Sequence, residues 1–247
     1  TMLSTASCRI MYGEYCVPQL SHQANGKFAV TEMYHPLIPE GVRNSITAER
    51  SVLLTGSNAS GKSTFIKTVA LNAILAQTLH TVLAENYQAS WFCIASSMAL
   101  RDDILSQESY YIVEIRSLKR ILDLTRLSEL SVLCFIDEVL RGTNTVERIA
   151  ASSRILQAIA EQGGLCFAAT HDIELTYLLE KEYDNYHFEE QVEDDKVTFD
   201  YCLHEGRACT RNAIRLLKML GYDEKIVDDA NERVALFLKS GNWVSSH

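Results

Sequence analysis

Thr55-Gly56-Ser57-Asn58-Ala59-Ser60-Gly61-Lys62-Ser63-Thr64 is the stretch that decides how this chain folds. Gly56, Gly61, Lys62 and Ser63 stand at the fixed positions of the pattern G-x-x-x-x-G-K-[ST]. Before it, Arg50-Ser51-Val52-Leu53-Leu54 reads as a buried strand. After it, residues 62–80 read as a helix, with Phe65, Ile66, Val69, Ala70, Ala73 and Ile74 at i, i+3, i+4 spacing. Strand, glycine-bearing loop and helix in that order make a phosphate cradle. The glycines let backbone N–H groups turn inward with no Cβ in the way, and the helix adds the positive end of its dipole. Gly56, Ser57, Asn58, Ala59, Ser60, Gly61, Lys62, Ser63 and Thr64 are therefore expected to hold a nucleoside triphosphate. Lys62 would reach the β- and γ-phosphates and Ser63 would ligate Mg²⁺. A plain Gly/Ser-rich turn is the competing reading.

Two further strand ends point to the same place. In Ser131-Val132-Leu133-Cys134-Phe135-Ile136-Asp137-Glu138, an apolar run of the kind buried in a parallel sheet ends in two acids. Asp137 is expected to hold Mg²⁺ through water beside Ser63, and Glu138 to orient or deprotonate the attacking water. The strand Leu165-Cys166-Phe167-Ala168-Ala169 ends in Thr170-His171-Asp172. A histidine at the carboxyl end of a parallel strand lies where ligands bind in open α/β sheets, so His171 is read as a γ-phosphate sensor. A plain hydrogen-bonding histidine is the alternative. The loop after His35-Pro36 enters just ahead of the first nucleotide strand, making Val42 and Asn44 candidate neighbours of the adenine, or residues of an ordinary connection.

The 247 residues, 47% of them hydrophobic, suffice for one α/β domain. With 3 prolines and 11 glycines, long linkers are not expected, and no apolar window reaches the ~18 residues of a membrane span. The start lacks a signal peptide's charged and apolar regions, and Thr1-Met2 reads as the start of a fragment or an engineered chain. Seven cysteines without CxxC spacing, three of them (Cys93, Cys134, Cys166) within apolar runs, point to reduced thiols and a cytoplasmic setting. The net charge of −9, from 23 basic and 32 acidic residues, makes a poor stand-alone DNA binder.

Strand–helix alternation predicts a mostly parallel sheet flanked by helices. Residues 1–48 are read as lead-in strands and loop, with antiparallel strands at 8–12 and 27–31. Residues 49–184 form the nucleotide-binding core, including one strand over 89–94, a helix over 108–124 and another over 145–162. Residues 185–210 read as a β-hairpin of runs 185–191 and 196–203, and 211–247 as two helices split at Gly221. The apolar stripes of that last pair bury against the core or against a partner subunit.

Three motifs together, the phosphate loop with its Asn58, Asp137-Glu138-Val139-Leu140-Arg141-Gly142-Thr143, and Ala169-Thr170-His171-Asp172-Ile173-Glu174-Leu175, resemble the ATPase domain of MutS-type DNA mismatch repair proteins. The resemblance covers nearly the whole chain. It implies a P-loop NTPase of the ABC class that binds ATP or ADP with Mg²⁺ and forms a homodimer around its nucleotides. It also implies that a serine reaches across to the partner's γ-phosphate, and Ser109 in Ser106-Gln107-Glu108-Ser109-Tyr110 matches that position. The family usually has Gly-Arg where this chain has Gln107-Glu108, and a glycine where it has Leu140. After Gly206 the chain reads Arg207-Ala208-Cys209-Thr210-Arg211-Asn212-Ala213-Ile214, unlike the family's Ser-x-Gly run. These departures are read as those of a MutS-related side branch. Mismatch-sensing and clamp domains are not among these residues, so DNA is expected to be contacted elsewhere in the parent. The alternative function is a nucleotide-gated clamp with little hydrolysis. A small-molecule kinase is disfavoured, since no acceptor-site or lid signature appears.

Overall fold

The computed structural model describes residues 14–22, 27–38, 40–57, 59–98, 110–140, 143–193, 196–208 and 213–241. In chain order, β1 (Gln19–Ser21), β2 (Phe28–Met33) and β3 (Asn44–Ala48) precede β4 (Ser51–Thr55). Then come α1 (Lys62–Leu79), β5 (Asn86–Ser90), β6 (Phe92–Ser97), α2 (Tyr110–Leu127), β7 (Ser131–Asp137), α3 (Thr145–Glu161) and β8 (Leu165–Ala169). The chain closes with α4 (Glu174–Leu178), β9 (Tyr183–His187), β10 (Glu190–Glu193), β11 (Lys196–Phe199), β12 (His204–Glu205), α5 (Ala213–Met219) and α6 (Glu224–Ser240).

The central sheet runs β12-β9-β4-β8-β7-β6. Its five longer strands are parallel, and only β12 is antiparallel, to β9. The continuous apolar runs of β4, β7 and β8 follow from burial on both faces, with alternate residues pointing opposite ways. Val52, Leu54, Phe135, Phe167 and Ala169 face α1 and the lead-in strands, meeting Phe65, Ile66, Val69, Ala73 and Phe28. Leu53, Cys134, Ile136, Cys166 and Ala168 face the other layer, meeting Leu118 and Ile121 of α2 and Leu156 and Ile159 of α3. Each such fully buried Leu, Ile or Phe stabilises the fold by about 1.5–3 kcal/mol. Cys134 and Cys166 are register partners on adjacent strands and fully buried. Their mutual hydrogen bond, reinforced by burial, pushes the Cys134 thiol well above its ordinary pKa. As expected for buried reduced thiols, both are free.

Three expectations need correction. The apolar run 89–94 is not one strand. It breaks at Trp91, so that β5 joins the four-stranded sheet β1-β5-β2-β3 while β6 forms the edge of the central sheet. Gln77 of α1 holds the first residue after the break, its Oε1 accepting from the Phe92 N–H (2.8 Å) and its Nε2 donating to the Phe92 carbonyl (3.1 Å). A switch between sheets within an apolar run carries no turn residue to announce it. The lead-in sheet is accordingly mixed: β2 pairs antiparallel with β3 and β5, and β1 parallel with β5. The strand expected at 8–12 lies outside the described residues. Finally, residues 185–187 belong to β9 in the central sheet, paired with β4 from Ser51↔Tyr183 to Thr55↔His187, and the hairpin proper is β10–β11.

The helices carry exposed apolar residues as well. Ile74 is 43% exposed, and Ile112 and Ile115 also face solvent, while Leu118 and Ile121 are the buried members of the α2 stripe. In the C-terminal pair Val227 is buried, whereas Leu220 and Ile226 are exposed. No helix among the described residues is long and apolar enough to cross a membrane.

Candidate nucleotide-binding site

The parallel register puts the tips of β4, β8 and β7 on one edge. Ala169 pairs with Leu54 on one side and with Asp137 on the other. With strands 4.7–4.9 Å apart, the phosphate loop and the Asp137 tip are therefore ~10 Å from each other across β8. The Thr170 N–H donates to the Leu54 carbonyl (2.9 Å), and the Glu138 N–H to the Ala169 carbonyl (3.0 Å), locking the three tips together.

Within the loop, Gly56 has φ +142°, and a Cβ there would lie 2.8 Å from the Phe188 carbonyl oxygen and 2.9 Å from Ser60 Oγ. No other residue fits. Gly61, at φ +112°, caps α1. The first turn of α1 has no acidic residue, so its positive end is not offset there. Lys62 is buried (5% exposed), and its ammonium lies across the loop, donating to the carbonyls of Gly56 and Ser57 at 2.7 Å each. A cation held by main-chain carbonyls is one that an anion entering the loop can draw away. The Ser57 hydroxyl donates to the Glu190 carboxylate at the start of β10 (2.5 Å). Asn58 lies outside the described residues.

A cleft of about 630 Å³ opens beside the loop, lined by Ser57, Ala59, Gly61, Lys62, Ser63 and Thr64 on one wall and by Val42, Asn44, Glu138, Phe188 and Tyr201 around it. Val42 is half exposed at the rim. Asn44 borders the cleft with its amide engaged elsewhere. Its Nδ2 donates to the Tyr201 carbonyl (3.0 Å) and its Oδ1 accepts from the Leu203 N–H (2.7 Å). Asn44 thus staples the segment after β11 to the lead-in sheet and brings Tyr201 to the mouth. Tyr201 has φ +55°, is 46% exposed, and stands so close that a Cβ on Gly61 would lie 3.3 Å from its ring. Next to it, burial tends to raise the Asp200 carboxyl pKa. The Cys202 N–H (3.0 Å) and the His204 ring (2.8 Å) outweigh this and hold it below the ordinary carboxylate value.

At the β7 tip, Asp137 Oδ1 is buried with no hydrogen-bond partner among the described residues. Leaving such an oxygen dry and unpaired costs about 1–3 kcal/mol. An oxygen of this kind fits a divalent cation. Among the described residues no three His, Cys, Asp or Glu side chains make a ready-made cage.

The turn after Asp137 is strained. Glu138 and Leu140, neither of them glycine, have φ +60° and +57°, a backbone that costs an L-residue roughly 1–2 kcal/mol. Glu138 Oε1 meets His171 Nε2 at 3.0 Å. His171 itself lines a second groove of about 1070 Å³, on the far side of Gly56 and Ser57 towards α5 and α6. The residue after it, Asp172, is held by two Arg148 nitrogens, Nε and Nη2 (2.9 and 2.5 Å). Of the residues singled out from the sequence, Ser57, Ala59, Gly61, Lys62, Ser63, Thr64, Glu138, Val42 and Asn44 line the first cleft, Gly56, Ser60 and Asp137 do not, and His171 meets the cleft wall at Glu138. Ser109 lies outside the described residues. Tyr201, Phe188, Glu190 and Arg148 are additions from the tertiary structure. No spacing signal marks them, since Tyr201 is 140 residues from Gly61.

Comparison with known proteins gives the chain a family. Residues 52–237 match MutS domain V. The chain is 31% identical over 227 residues to a protein named DNA mismatch repair protein MutS from Natronomonas pharaonis, covering 89% of this chain and 26% of that protein. It is 33% identical over 244 residues to the protein of the same name from Pseudothermotoga lettingae, covering 94% of this chain and 29% of the relative. To that from Thermus thermophilus it is 30% identical over 206 residues (83% and 25%). The chain therefore spans about a quarter of the length of the curated relatives it matches. On this evidence the chain belongs to the MutS family and carries its domain V, the family's C-terminal ATPase domain.

Proposed function

We propose that this chain binds ATP with Mg²⁺ in the cleft beside Lys62 and hydrolyses it, working as the ATPase module of a MutS-like protein. The observation that carries this reading is the Lys62 ammonium lying over the loop carbonyls, on the same sheet edge as Asp137, Glu138 and His171. Loop N–H groups and Lys62 bind the phosphates, and the Ser63 hydroxyl with Asp137 Oδ1 would hold Mg²⁺. A bound Mg²⁺ would neutralise charge on the β- and γ-phosphate oxygens. Glu138 accepts a proton from water as its oxygen bonds to the γ-phosphorus, and the bond from that phosphorus to the bridging oxygen breaks to release ADP and phosphate. His171, against the Glu138 carboxylate, orients that group and answers to the γ-phosphate.

The wider assembly is part of the same proposal. Two copies close around their nucleotides, Ser109 of one reaching the phosphate held by the other, and the nucleotide state is passed to DNA-contacting regions elsewhere in the parent. ABC-class architecture and a cytoplasmic setting belong to this reading.

A second reading, a nucleotide-gated clamp with little turnover, is favoured by Glu108, whose carboxylate precedes Ser109 and would repel phosphate. The deciding experiment is ATP hydrolysis against protein concentration, with Lys62→Ala and Ser109→Ala beside it. Specific activity that climbs with concentration and falls in both variants supports the composite dimer. A flat rate indifferent to Ser109 supports the clamp, and no nucleotide binding at all overturns both. Lys62→Ala should weaken ATP binding by roughly ten- to a hundredfold, the loss of one charge-assisted anchor.

A further inference from the structure

Glu114 is 2% exposed, an acidic side chain in the second turn of α2 on a face packed against the sheet. Buried carboxylates persist where donors hold them. Its Oε1 accepts the N–H of Leu140 at 2.5 Å. Leu140 is the second of the two left-handed residues in the turn that carries Glu138. Backbone of this kind is kept only where its surroundings over-determine it.

We propose that Glu114 is a positioning residue, clamping Leu140 so that the strained turn aims the Glu138 carboxylate into the cleft. Three elements hold the turn. The β8 carbonyl of Ala169 takes the Glu138 N–H (3.0 Å), Ser152 of α3 donates to the Val139 carbonyl (3.5 Å), and α2 contributes the Glu114 acceptor. The side chains of Val139 and Leu140 are buried, which turns the Glu138 side chain outward to His171. Of the three anchors, Glu114 gives the shortest bond and the only one made by an acidic side chain. A buried leucine at φ +57° has no intrinsic reason to stay there without it. Helix α2 opens at Tyr110, directly after Ser109 in sequence, so the clamp joins the helix following that serine to the turn bearing the general base.

The inference rests on the hydrolytic role proposed for Glu138, and the test separates the two. Glu114→Gln keeps a carbonyl acceptor, while Glu114→Met keeps nearly the same volume without one. Three readouts are needed: kcat, the Kd for ATP, and hydrogen exchange at the Leu140 amide in the nucleotide-free protein. Glu114→Met should speed Leu140 exchange by about tenfold or more and lower kcat by roughly ten- to a hundredfold, with Kd within about twofold. Glu114→Gln should stay within about threefold of the parent in all three. A Met variant with parental exchange and kcat overturns the clamp, and so does a Gln variant that loses both. Glu138→Ala is measured alongside. If it hydrolyses ATP normally the proposed base is wrong, and Leu140 exchange alone then decides whether Glu114 holds the turn.

Discussion

Arg148 grips Asp172 through two nitrogens of its guanidinium, Nε to Oδ2 at 2.9 Å and Nη2 to Oδ1 at 2.5 Å, tying the first turn of α3 to the residue beside His171. The pair is mostly shielded, with side chains 23% and 12% exposed. Bidentate geometry and partial burial put it above an ordinary surface ion pair. Arg148→Ala and Asp172→Asn should each loosen His171 against Glu138. In a double-mutant cycle on thermal or denaturant unfolding, a coupling of ~1–2 kcal/mol is expected. Purely additive effects would mean that the pair fixes nothing.

Tyr201 stands at the mouth of the cleft, over Gly61, on a backbone that Asn44 holds from across the fold. An aromatic ring there is placed to stack on a base, a contact worth about 1–3 kcal/mol. Tyr201→Ala is expected to weaken ATP binding by roughly five- to a hundredfold while leaving inorganic triphosphate binding unchanged. Equal losses for both ligands would show that the ring supports the loop and not the base.

Asp200 supplies a pH dependence whose sign follows from its environment. Its folded pKa is below the unfolded one, so its contribution is complete above the unfolded value of about 3.9 and fades as pH falls through the folded value. Melting temperatures of the parent and of Asp200→Asn should therefore differ at neutral pH and converge below about pH 4. A gap that persists at pH 2 would place the effect in packing instead.

Phe167 is the centre of an aromatic row, 5.5 Å from Phe28 on one side and 5.9 Å from Phe135 on the other, and it is fully buried. Phe167→Ala removes the ring from between the lead-in sheet and the central sheet. A loss of about 3–5 kcal/mol is expected in urea unfolding. A loss under about 1 kcal/mol would mean that the two layers do not share one core.

The placing of much of the candidate site was legible because its sequence pattern is local. Gly56, Gly61, Lys62 and Ser63 must follow one strand and open one helix, and that arrangement is written over ten consecutive residues. Asp137, Glu138 and His171 were legible for a related reason, since apolar runs buried on both faces end where a parallel sheet offers its ligand edge. Asn44, expected beside the adenine or in an ordinary connection, has its amide spent on Tyr201 and Leu203, a pairing made across more than 150 residues.

By itself, then, the sequence determined the phosphate loop, the alternation of strands and helices, and which acids and histidine end up on one edge. These depend on spacing along the chain. Tertiary structure alone decided that the run 89–94 divides between two sheets at Trp91, that β9 joins the central sheet, and that Tyr201 lines the mouth of the cleft. It alone placed a buried carboxylate at Leu140 as well. Each of these depends on which surfaces meet when the layers pack, and a linear pattern of apolar and polar residues specifies burial without specifying the partner.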